Sequence, residues 1–440
     1  MNEQNSSKRI AVIGSGISAI SAAWFLSQDH QVTVFEKNSR LGGHTNTQSI
    51  FENGKKINVD TGFIVFNRPN YPNLSKLFEH LSIRTQDTDM SFAVSINNGE
   101  IEYSGTNLNG LFGQRKNLFC WSHWSMILEI LRFNKLAKQA LSSDKALAQN
   151  LGDYLTENNF STKMQNHYLL PMAAAIWSCP VEVMMRFPTR SFLQFFENHG
   201  LLNVENRPQW ETVVNGSKTY LEAIVNKADF DIRLNQMVTQ VSTHPEGIEV
   251  TCEDGTSEVF DDIILGCHAD QSYNLLSTEL KSDFALLKHF KYQENITYLH
   301  TDAELMPKLK RTWSSWNYLR QTNVTEDKVA VSYWMNLLQN LNCKHDYFVT
   351  LNPIIKPTEE KTIAKIVYQH PVFDQAAMQA QKHLMDLQGK HNIWLCGSYF
   401  GYGFHEDGLT SAVKLVKLWG INPPWTCEKI THLNQVNNHV

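Results

Sequence analysis

Two glycines and an acid near the start of the chain have residue types and a spacing that suit a nucleotide cofactor. Residues 14–19 read GSGISA, a G-x-G-x-x-A pattern, and Glu36 follows about 20 residues later. Glycine permits a tight turn and a close backbone approach to phosphate, and a carboxylate accepts hydrogen bonds from ribose hydroxyls. The pattern predicts dinucleotide binding, and the alternative is a chance glycine turn. The predicted cofactor residues here are Gly14, Ser15, Gly16, Ile17, Ser18, Ala19 and Glu36.

The elements that must position this motif can be identified on either side of it. Residues 9–13 (RIAVI) form an apolar run typical of a buried strand, and the apolar positions from Ile17 to Trp24 follow a helical period. A second β-branched run at residues 32–34 ends next to Glu36. We therefore expect a βαβ unit in which the glycine turn meets a helix N-terminus, whose partial positive charge favours phosphate.

The residues that follow Glu36 indicate which kind of dinucleotide is bound. Residues 36–45 (EKNSRLGGHT) resemble the R-x-G-G-[RH] element of the flavin-containing amine oxidase superfamily. The resemblance implies that paired glycines pass close to the cofactor and that the arginine lies by its diphosphate. The implied cofactor is FAD, and the implied binding residues are Lys37, Arg40, Gly42, Gly43, His44 and Thr45.

Two further parts of the resemblance lie downstream. Residues 60–63 (DTGF) look like the family's flavin-side turn, and residues 394–409 (WLCGSYFGYGFHEDGL) look like its C-terminal motif. A helix N-terminus in that motif would stabilise the negative charge that reduced flavin carries near N1 and O2. Ser398 stands where many relatives have an acid for the ribitol chain. The residues assigned to the cofactor here are Thr61, Gly62, Phe63, Val238, Gly397, Ser398, His405, Glu406, Asp407, Gly408 and Leu409.

The resemblance extends over nearly the whole chain. Segments such as 171–180 (PMAAAIWSCP) and 370–381 (HPVFDQAAMQAQ) are similar to a bacterial subgroup usually called predicted NAD/FAD-binding proteins. The implied fold class is α/β, with an FAD-binding Rossmann-like domain of the glutathione-reductase type and an interleaved, amine-oxidase-like α+β substrate domain. The expected FAD domain comprises residues 1–75, 205–275 and 385–440, and the expected substrate domain comprises residues 76–204 and 276–384.

Members of this subgroup tend to occur beside cyclopropane-fatty-acid-synthase-like methyltransferases. That association makes the fatty acyl chain of a lipid the leading expected substrate, desaturated by loss of two electrons, and a methyltransferase the expected partner. The first alternative is an amine oxidase that releases hydrogen peroxide; no evident pair of aromatic residues flanks the flavin turn as in the family's amine cage, although Tyr399 and Tyr402 leave this alternative open. The second is a redox-neutral flavin-dependent isomerase or a lipid-binding partner.

The catalytic candidates are mostly aromatic. Flavin oxidation needs a C–H bond placed over the ring and a wall that excludes water. Trp316, Asn317 and Tyr333 fall in extended segments that the resemblance assigns to the substrate domain, so we expect an aromatic pocket with amide donors, the alternative being plain core packing. Tyr402 and His405 complete the set. His405 either contacts the flavin, relays protons for it or is linked to it covalently. The alternative is that it only caps the following helix.

Other reactive side chains have simpler expected roles. Cys396 precedes a glycine turn in a strand, which predicts a buried, inert thiol. Lys218, His300 and Asp302 are weaker acid–base candidates, each with a structural or surface role as the alternative.

The segment 115–141 predicts a basic amphipathic helix. Met126 and Phe133 fall on one side of a helical wheel, and Lys135 and Lys138 fall on the other, with tryptophans near the start. Such a helix would either lie on an anionic bilayer and admit lipid substrates or pack its apolar side against the substrate domain.

Composition limits the remaining classes of function. The chain has 440 residues, 42% of them hydrophobic, and a formal net charge of −5, which favours a large core and argues against nucleic-acid binding. Seven cysteines without a C-x-x-C pair predict neither a disulfide framework nor a metal site. With no signal-peptide pattern and no apolar run of about 18 residues, we expect a cytoplasmic protein, at most peripheral to the inner face of the membrane.

Overall fold

The computed structural model describes residues 7–105, 107–143, 149–177, 184–203, 207–322 and 328–426. In these ranges the strands are β1 Arg9–Ile13, β2 Gln31–Glu36, β3 Thr47–Glu52, β4 Lys55–Asp60, β5 Val65–Phe66, β6 Thr85–Thr88, β7 Phe92–Ile96, β8 Ile101–Ser104, β9 Trp210–Val213, β10 Asp231–Leu234, β11 Val238–His244, β12 Gly247–Cys252, β13 Ser257–Phe260, β14 Asp262–Leu265, β15 Lys291–His300, β16 Trp316–Gln321, β17 Lys328–Trp334, β18 Phe348–Leu351, β19 Thr362–Val372 and β20 Ile393–Leu395. The α-helices are Ile17–Leu26, Pro72–His80, Leu108–Leu111, Trp121–Leu141, Leu151–Glu157, Thr162–Met164, Leu170–Trp177, Thr189–Asn198, Lys218–Lys227, Ala269–Leu275, Thr278–Lys281, Met335–Leu338, Gln375–Gln381 and His405–Leu418.

A five-stranded parallel sheet of order β10-β2-β1-β14-β20 carries the N-terminal glycine motif. A parallel strand covered on both faces needs a continuous apolar run, which the RIAVI of β1 supplies. Ile10 and Val12 pack with the helices Ile17–Leu26 and His405–Leu418, while Ala11 packs on the other face with the antiparallel sheet β11-β12-β13. The predicted βαβ opening is therefore confirmed.

A seven-stranded sheet of order β19-β15-β18-β17-β16-β7-β8 forms the second layer. Its neighbouring strands run antiparallel except β16 and β7, which are parallel. The helices Trp121–Leu141 and Thr189–Asn198 pack in one core with Val94 of β7 and Tyr318 of β16. This mixed architecture confirms the predicted α/β fold class with an interleaved second domain.

The expected domain boundaries stay a prediction. The strands of the parallel sheet all fall within residues 1–75, 205–275 and 385–440. The small sheet β5-β9-β6 joins strands from both sides of residue 75, so hydrogen bonds cross the expected boundary there.

Local contacts set where two helices begin. The segment predicted as a helix from residue 115 begins with a 3-10 turn, Arg115–Phe119, and the α-helix starts only at Trp121. The helix Gln375–Gln381 follows β19 and starts after Asp374, whose side chain accepts a hydrogen bond from Ala377 N. Among the described residues, no helix combines the length and apolarity needed to cross a membrane.

Candidate cofactor and substrate site

A cavity of about 1440 Å³ is lined by residues of both large sheets. Pockets for one small ligand measure roughly 300–1,000 Å³, so this cavity has room for a cofactor and a second molecule. We call its lining residues within 13–18, 35–44, 236–239, 266–275 and 397–405 the cofactor side. Those within 89–105, 168–177, 195–210, 316–351 and 366–373 are the substrate side.

The first glycine turn leaves backbone donors facing the cavity. Gly14 has φ +101°, a value that favours glycine, and its N–H donates to Phe35 O at 2.8 Å. A Cβ at Gly16 would meet nothing within 4 Å, so this position faces open space. The helix Ile17–Leu26 has no side-chain cap among the described residues and no acid in its first turn. Its first N–H groups can therefore bind an anion.

Glu36 ends β2 at the edge of the cavity. One carboxylate oxygen accepts from Ser15 Oγ at 2.6 Å, and the other accepts from Asn38 N and Nδ2 at 2.9 and 2.7 Å. The oxygen that Ser15 contacts keeps a lone pair for another donor. The acid is thus held next to the glycine turn with capacity to accept from a ribose hydroxyl.

The paired-glycine loop is bound directly to the first turn. Gly42 N donates to Ser15 O at 3.1 Å, and a Cβ at Gly42 would lie 2.6 Å from Thr45 O. The Arg40 guanidinium donates to the carbonyls of Gly43 at 2.9 Å and of Thr45 at 3.4 Å. Arg40 therefore fixes the shape of its own loop, and it also lines the cavity beside Lys37.

The turn at residues 60–63 packs against the same loop. A Cβ at Gly62 would lie 2.1 Å from His44 O, which also accepts from Phe63 N at 2.8 Å. Thr61 lies 2.8 Å from the Tyr368 hydroxyl, so this turn also contacts the substrate domain. Burial raises the pKa of Asp60 to about 6.

His405 is the first residue of its helix and does more than cap it. Its ring stacks on Phe63, with centroids 3.9 Å apart, and its Nε2 lies 2.6 Å from the Tyr220 hydroxyl. Burial lowers the pKa of His405 to about 3 and raises the pKa of Tyr220, so the imidazole is neutral and the phenol protonated. The phenol and Nε2 share one hydrogen bond, whose direction depends on the imidazole tautomer. Tyr220 also hydrogen-bonds Thr45.

The acids that follow this histidine do not reach the cavity, which corrects their expected flavin contacts. Glu406 accepts from Asn73 N at 2.9 Å and Leu74 N at 3.0 Å, and so caps the helix Pro72–His80. Asp407 accepts from the backbone N–H groups of Tyr402 and Phe404, each at 2.9 Å, and so fixes the preceding turn.

Some of the small and apolar residues of these motifs line the cavity, and others pack in the core. A Cβ at Gly408 would lie 2.8 Å from Ser18 Oγ, and Leu409 is fully buried in the core. Ala19 lies against Gly266, where an added Cβ would approach its methyl group to 2.5 Å. The predicted cofactor residues that do not line the cavity are Ala19, Thr45, Glu406, Asp407, Gly408 and Leu409. Those that do are Gly14, Ser15, Gly16, Ile17, Ser18, Glu36, Lys37, Arg40, Gly42, Gly43, His44, Thr61, Gly62, Phe63, Val238, Gly397, Ser398 and His405.

Trp316 and Tyr333 line the substrate side, and their rings meet edge to face at 4.7 Å. Trp316 Nε1 is buried without a hydrogen-bond partner among the described residues. Asn317, one residue further along β16, is fully buried and does not line the cavity. Its amide donates to Ser314 O at 2.6 Å and Ser332 O at 3.0 Å, so its expected role as a pocket donor is wrong.

Sequence reasoning missed a group of rings contributed by β19. Tyr368 stacks on His44 at 4.9 Å between centroids, and His370 lies 5.2 Å from the same ring. Burial lowers the pKa of His370 to about 4 and holds the pKa of His44 well below its usual value, so both are neutral. The His44 Nε2 is buried without a partner among the described residues. The alternating residue pattern predicts only that β19 is an extended strand. It does not indicate which element the strand packs against.

The weaker candidates have structural roles. His300 lies 2.7 Å from Thr350 Oγ1, Asp302 pairs with Lys361 at 2.9 Å, and neither acid–base candidate lines the cavity. Lys218, also outside the lining, has its ammonium 3.3 Å from a serine hydroxyl. Cys396 is fully buried, and burial raises its pKa, as expected for an inert thiol. Cys179 and Cys427 lie outside the described residues. Within the described ranges, no group of three or more His, Cys, Asp or Glu could hold a metal.

The cofactor side fits a dinucleotide on its own geometry. The open space at Gly16 is the gap that a pyrophosphate would fill, and the uncapped helix behind it supplies donors. Lys37 and Arg40 are cations on the same side of the cavity, and Glu36 is its carboxylate.

Comparison with known proteins agrees with this geometry. A model of the family described as flavin containing amine oxidoreductase matches residues 17–304, more than half of the chain. AofH of Mycobacterium tuberculosis, which is named as a flavin-containing monoamine oxidase, is 25% identical over 265 residues. These residues are 57% of this chain and 54% of that protein, so the chain spans about half the length of this curated relative.

Solved structures agree in fold. A fatty acid isomerase of P. acnes that produces CLA superposes with a TM-score of 0.66 at 14% identity, covering 95% of this chain and 100% of that one. The cyclohexylamine oxidase of Brevibacterium oxydans has a TM-score of 0.62 at 12% identity, with 94% and 100% covered. At these identities the likeness concerns the fold alone. Because the family model matches more than half of the chain, we conclude that the chain belongs to the flavin-containing amine oxidoreductase family of FAD-dependent oxidoreductases.

Proposed function

We propose that this FAD-dependent oxidoreductase desaturates an apolar substrate of the acyl-chain type. The observation that carries the proposal is the composition of the substrate side, whose described lining is mainly aliphatic and aromatic. Burying such a wall against an acyl chain contributes roughly 25 cal/mol per Å². The apolar side chains of this wall include Met90, Phe92, Met172, Ala175, Ile176, Trp177, Phe195, Leu201, Trp316, Leu351, Ile366 and Phe373.

Charge on the substrate side favours an acyl chain over an amine. Asp89 is the one carboxylate among its described lining residues. Its Oδ1 already accepts from Ser91 N at 2.8 Å and from Ser315 Oγ at 2.9 Å, so it holds a loop of the protein together. These bonds use only Oδ1, so an ammonium group would find one carboxylate oxygen, Oδ2, on an otherwise apolar wall.

The two tyrosines that leave amine oxidation open do not form an aromatic pair. Tyr399 and Tyr402 both line the cavity, but no ring contact joins them in the described structure. The ring of Tyr399 instead packs against Phe290 at 5.3 Å and Phe400 at 5.0 Å. The name of the curated relative keeps amine oxidation as the second candidate function.

Desaturation removes a hydride and a proton from adjacent carbons and forms a C=C bond between them. When bound, FAD supplies the acceptor for the two electrons, and an external acceptor such as dioxygen restores it. An unactivated C–H bond is a poor hydride donor, so we expect an allylic or otherwise activated position. The proton passes to water.

The residues near this reaction orient the substrate and exclude water, and they contribute less by taking up or releasing protons. His405 is neutral and its Nε2 is hydrogen-bonded to Tyr220, so with its lowered pKa it is a poor base. Trp316 and Trp177 line the cavity with their rings, while their indole N–H groups are buried away from it without partners among the described residues.

Product analysis tests the proposal. We expect holoenzyme incubated in air with unsaturated phospholipid to form a product that lacks two hydrogen atoms. An isomeric product of unchanged mass would favour a redox-neutral isomerase instead. Peroxide release with an amine panel, and none with lipid, would overturn the proposal in favour of amine oxidation.

The methyltransferase partner belongs to the same proposal and depends on the sequence resemblance. If the two enzymes act in sequence, a methylated acyl chain should be a better substrate than its unmethylated counterpart. Equal kcat/KM for the two lipids would remove this part of the proposal.

A further inference from the structure

The helix Trp121–Leu141 carries two apolar stripes, and the core buries only one of them. Met126, Phe133 and Ala137 are at most 1% exposed and pack in the core of the helical layer. This is the stripe that the helical wheel marked, so the expectation that it lies on a bilayer is wrong. The alternative, packing against the substrate domain, is what the structure shows.

The second stripe faces solvent. Its members follow one another at spacings of three, four and three residues, which places them on one side of the helix. Trp121 is 77% exposed, although a side chain of this size normally buries most of its area. The exposed stripe consists of Trp121, Trp124, Leu128 and Leu131.

The stripe continues into the turn that precedes the helix. Phe119 is 92% exposed, and Leu118 is exposed beside it. Leu118 O accepts from Trp124 Nε1 at 3.0 Å, and Phe112 contacts the same tryptophan ring at 4.9 Å, so the turn and the helix start form one surface. We call this surface the apolar patch, made up of Leu108, Leu118, Phe119, Trp121, Trp124, Leu128 and Leu131.

The surroundings of the patch are basic. Residues 107–143 contain five basic side chains and one acid. That acid, Glu129, is occupied because it accepts from Ser161 N at 2.8 Å. Along the helix the stripe of exposed apolar residues runs on into Lys135 and Lys138, which lie on the same side by helical spacing. The basic residues are Arg115, Lys116, Arg132, Lys135 and Lys138.

We infer that the apolar patch docks on the interface of an anionic lipid bilayer. Protruding tryptophan and phenylalanine side chains with lysine and arginine beside them match a headgroup region, where apolar side chains insert and cations meet lipid phosphates. Contiguous exposed apolar surface marks an interaction site, and the basic surroundings favour an anionic lipid over the same patch of a second copy, whose basic side chains would repel these.

The patch also lies next to the substrate side of the cavity. Tyr103 lines the cavity, and its ring lies 5.8 Å from that of His123 on the same helix. The Tyr103 hydroxyl donates to the His167 carbonyl, and Tyr168 lines the cavity as well. The helix that carries the patch therefore contacts the substrate side of the cavity through His123 and Tyr103. The docking inference depends on the surface alone and not on the proposed reaction.

Vesicle sedimentation tests the inference without any turnover. We expect the holoenzyme to pellet with vesicles of mixed phosphatidylcholine and phosphatidylglycerol. The double variant Phe119→Ser/Trp121→Ser should bind them at least about tenfold more weakly, because two inserted aromatic side chains are lost. Phe51→Ser is the matched control, since Phe51 is 75% exposed on β3 and outside the patch; it should bind like the parent. Retained flavin absorbance shows that each variant is folded.

A second pair of variants tests the charge. Lys116→Gln/Lys135→Gln should weaken binding to the mixed vesicles and leave binding to pure phosphatidylcholine unchanged. The inference is overturned if the parent does not sediment with mixed vesicles, or if the serine variant binds as well as the parent. It is also overturned if the patch variant dissolves a dimer while no vesicle binding is seen, because a second copy would then be the occupant.

Discussion

The two sides of the cavity are built in different ways. On the cofactor side the backbone forms the site, at turns where Gly14, Gly42 and Gly62 have either a positive φ or no room for a Cβ. On the substrate side, side chains from a distant set of strands and helices form the wall. A site made of backbone turns is formed by consecutive residues and is visible as a local sequence motif. A wall of side chains forms only once distant segments of the chain have packed together.

The largest expected effect is a loss of folding stability at acid pH, because buried histidines line both sides of the cavity. Burial lowers the pKa values of His199, His268 and His370 to about 4, so the unfolded chain binds more protons than the fold below pH 6.5. Stability is full above that pH and falls as the pH drops towards 4, by roughly 2 kcal/mol per histidine at pH 5. Burial raises the pKa values of Asp60 and Asp407 to about 6, which offsets part of the loss by the opposite sign. Denaturant unfolding at pH 7 and pH 5 measures the difference, and equal stability would contradict it.

Two glycine variants should separate the sides cleanly. Gly16→Val fills the open space beside the first turn, and overpacking of roughly 3 kcal/mol predicts FAD binding about 100-fold weaker. Gly105→Val is the control, because it lines the substrate side and its Cβ would meet only Phe92 O at 3.9 Å. Flavin fluorescence titration of the apoproteins gives both affinities. A similar loss of FAD in both variants would show that the two sides are not independent.

Neighbouring residues of β16 should give opposite phenotypes. Trp316→Leu should raise KM about tenfold with unchanged Tm, since Trp316 lines the cavity. Asn317→Ala should lower stability by roughly 1–3 kcal/mol with little change in KM, because its buried partners lose their hydrogen bonds. Steady-state kinetics and thermal unfolding of both proteins test the pair, and a swapped pattern would restore Asn317 as a pocket residue.

The smallest expected effect concerns the contact between His405 and Tyr220. Tyr220→Phe removes the hydrogen bond to Nε2, worth about 1 kcal/mol, so kcat should fall by no more than about fivefold while FAD stays bound. A shift of the flavin absorbance band would show that the imidazole had turned towards the ring. Unchanged kcat and spectrum would make the histidine a helix cap only.

Much of the fold and of the cofactor side could be predicted from the sequence, since the RIAVI strand, the GSGISA turn and Glu36 are local signals. The errors arose where position depends on tertiary packing. Glu406 lies in the correct motif but caps a helix from residue 72 onwards, a contact that no local pattern encodes. His370 and Tyr368 reach His44 only because β19 packs against the paired-glycine loop.

The helix Trp121–Leu141 shows the same limit in another form. Its apolar residues follow two helical stripes, and periodicity alone cannot tell which of them meets the core. The structure buries the stripe of Met126 and Phe133 and exposes the one that begins at Trp121.

The most direct test of the division between the sides is anaerobic flavin absorbance with two ligands that share one chain. Oleate and oleylamine differ only in the head group, so any preference reports how the substrate side treats charge. With FAD bound, an apolar substrate side that has one carboxylate among its described lining residues predicts that oleate bleaches the flavin band and that oleylamine does not. Bleaching by oleylamine, with none by oleate or by unsaturated phospholipid, would contradict it.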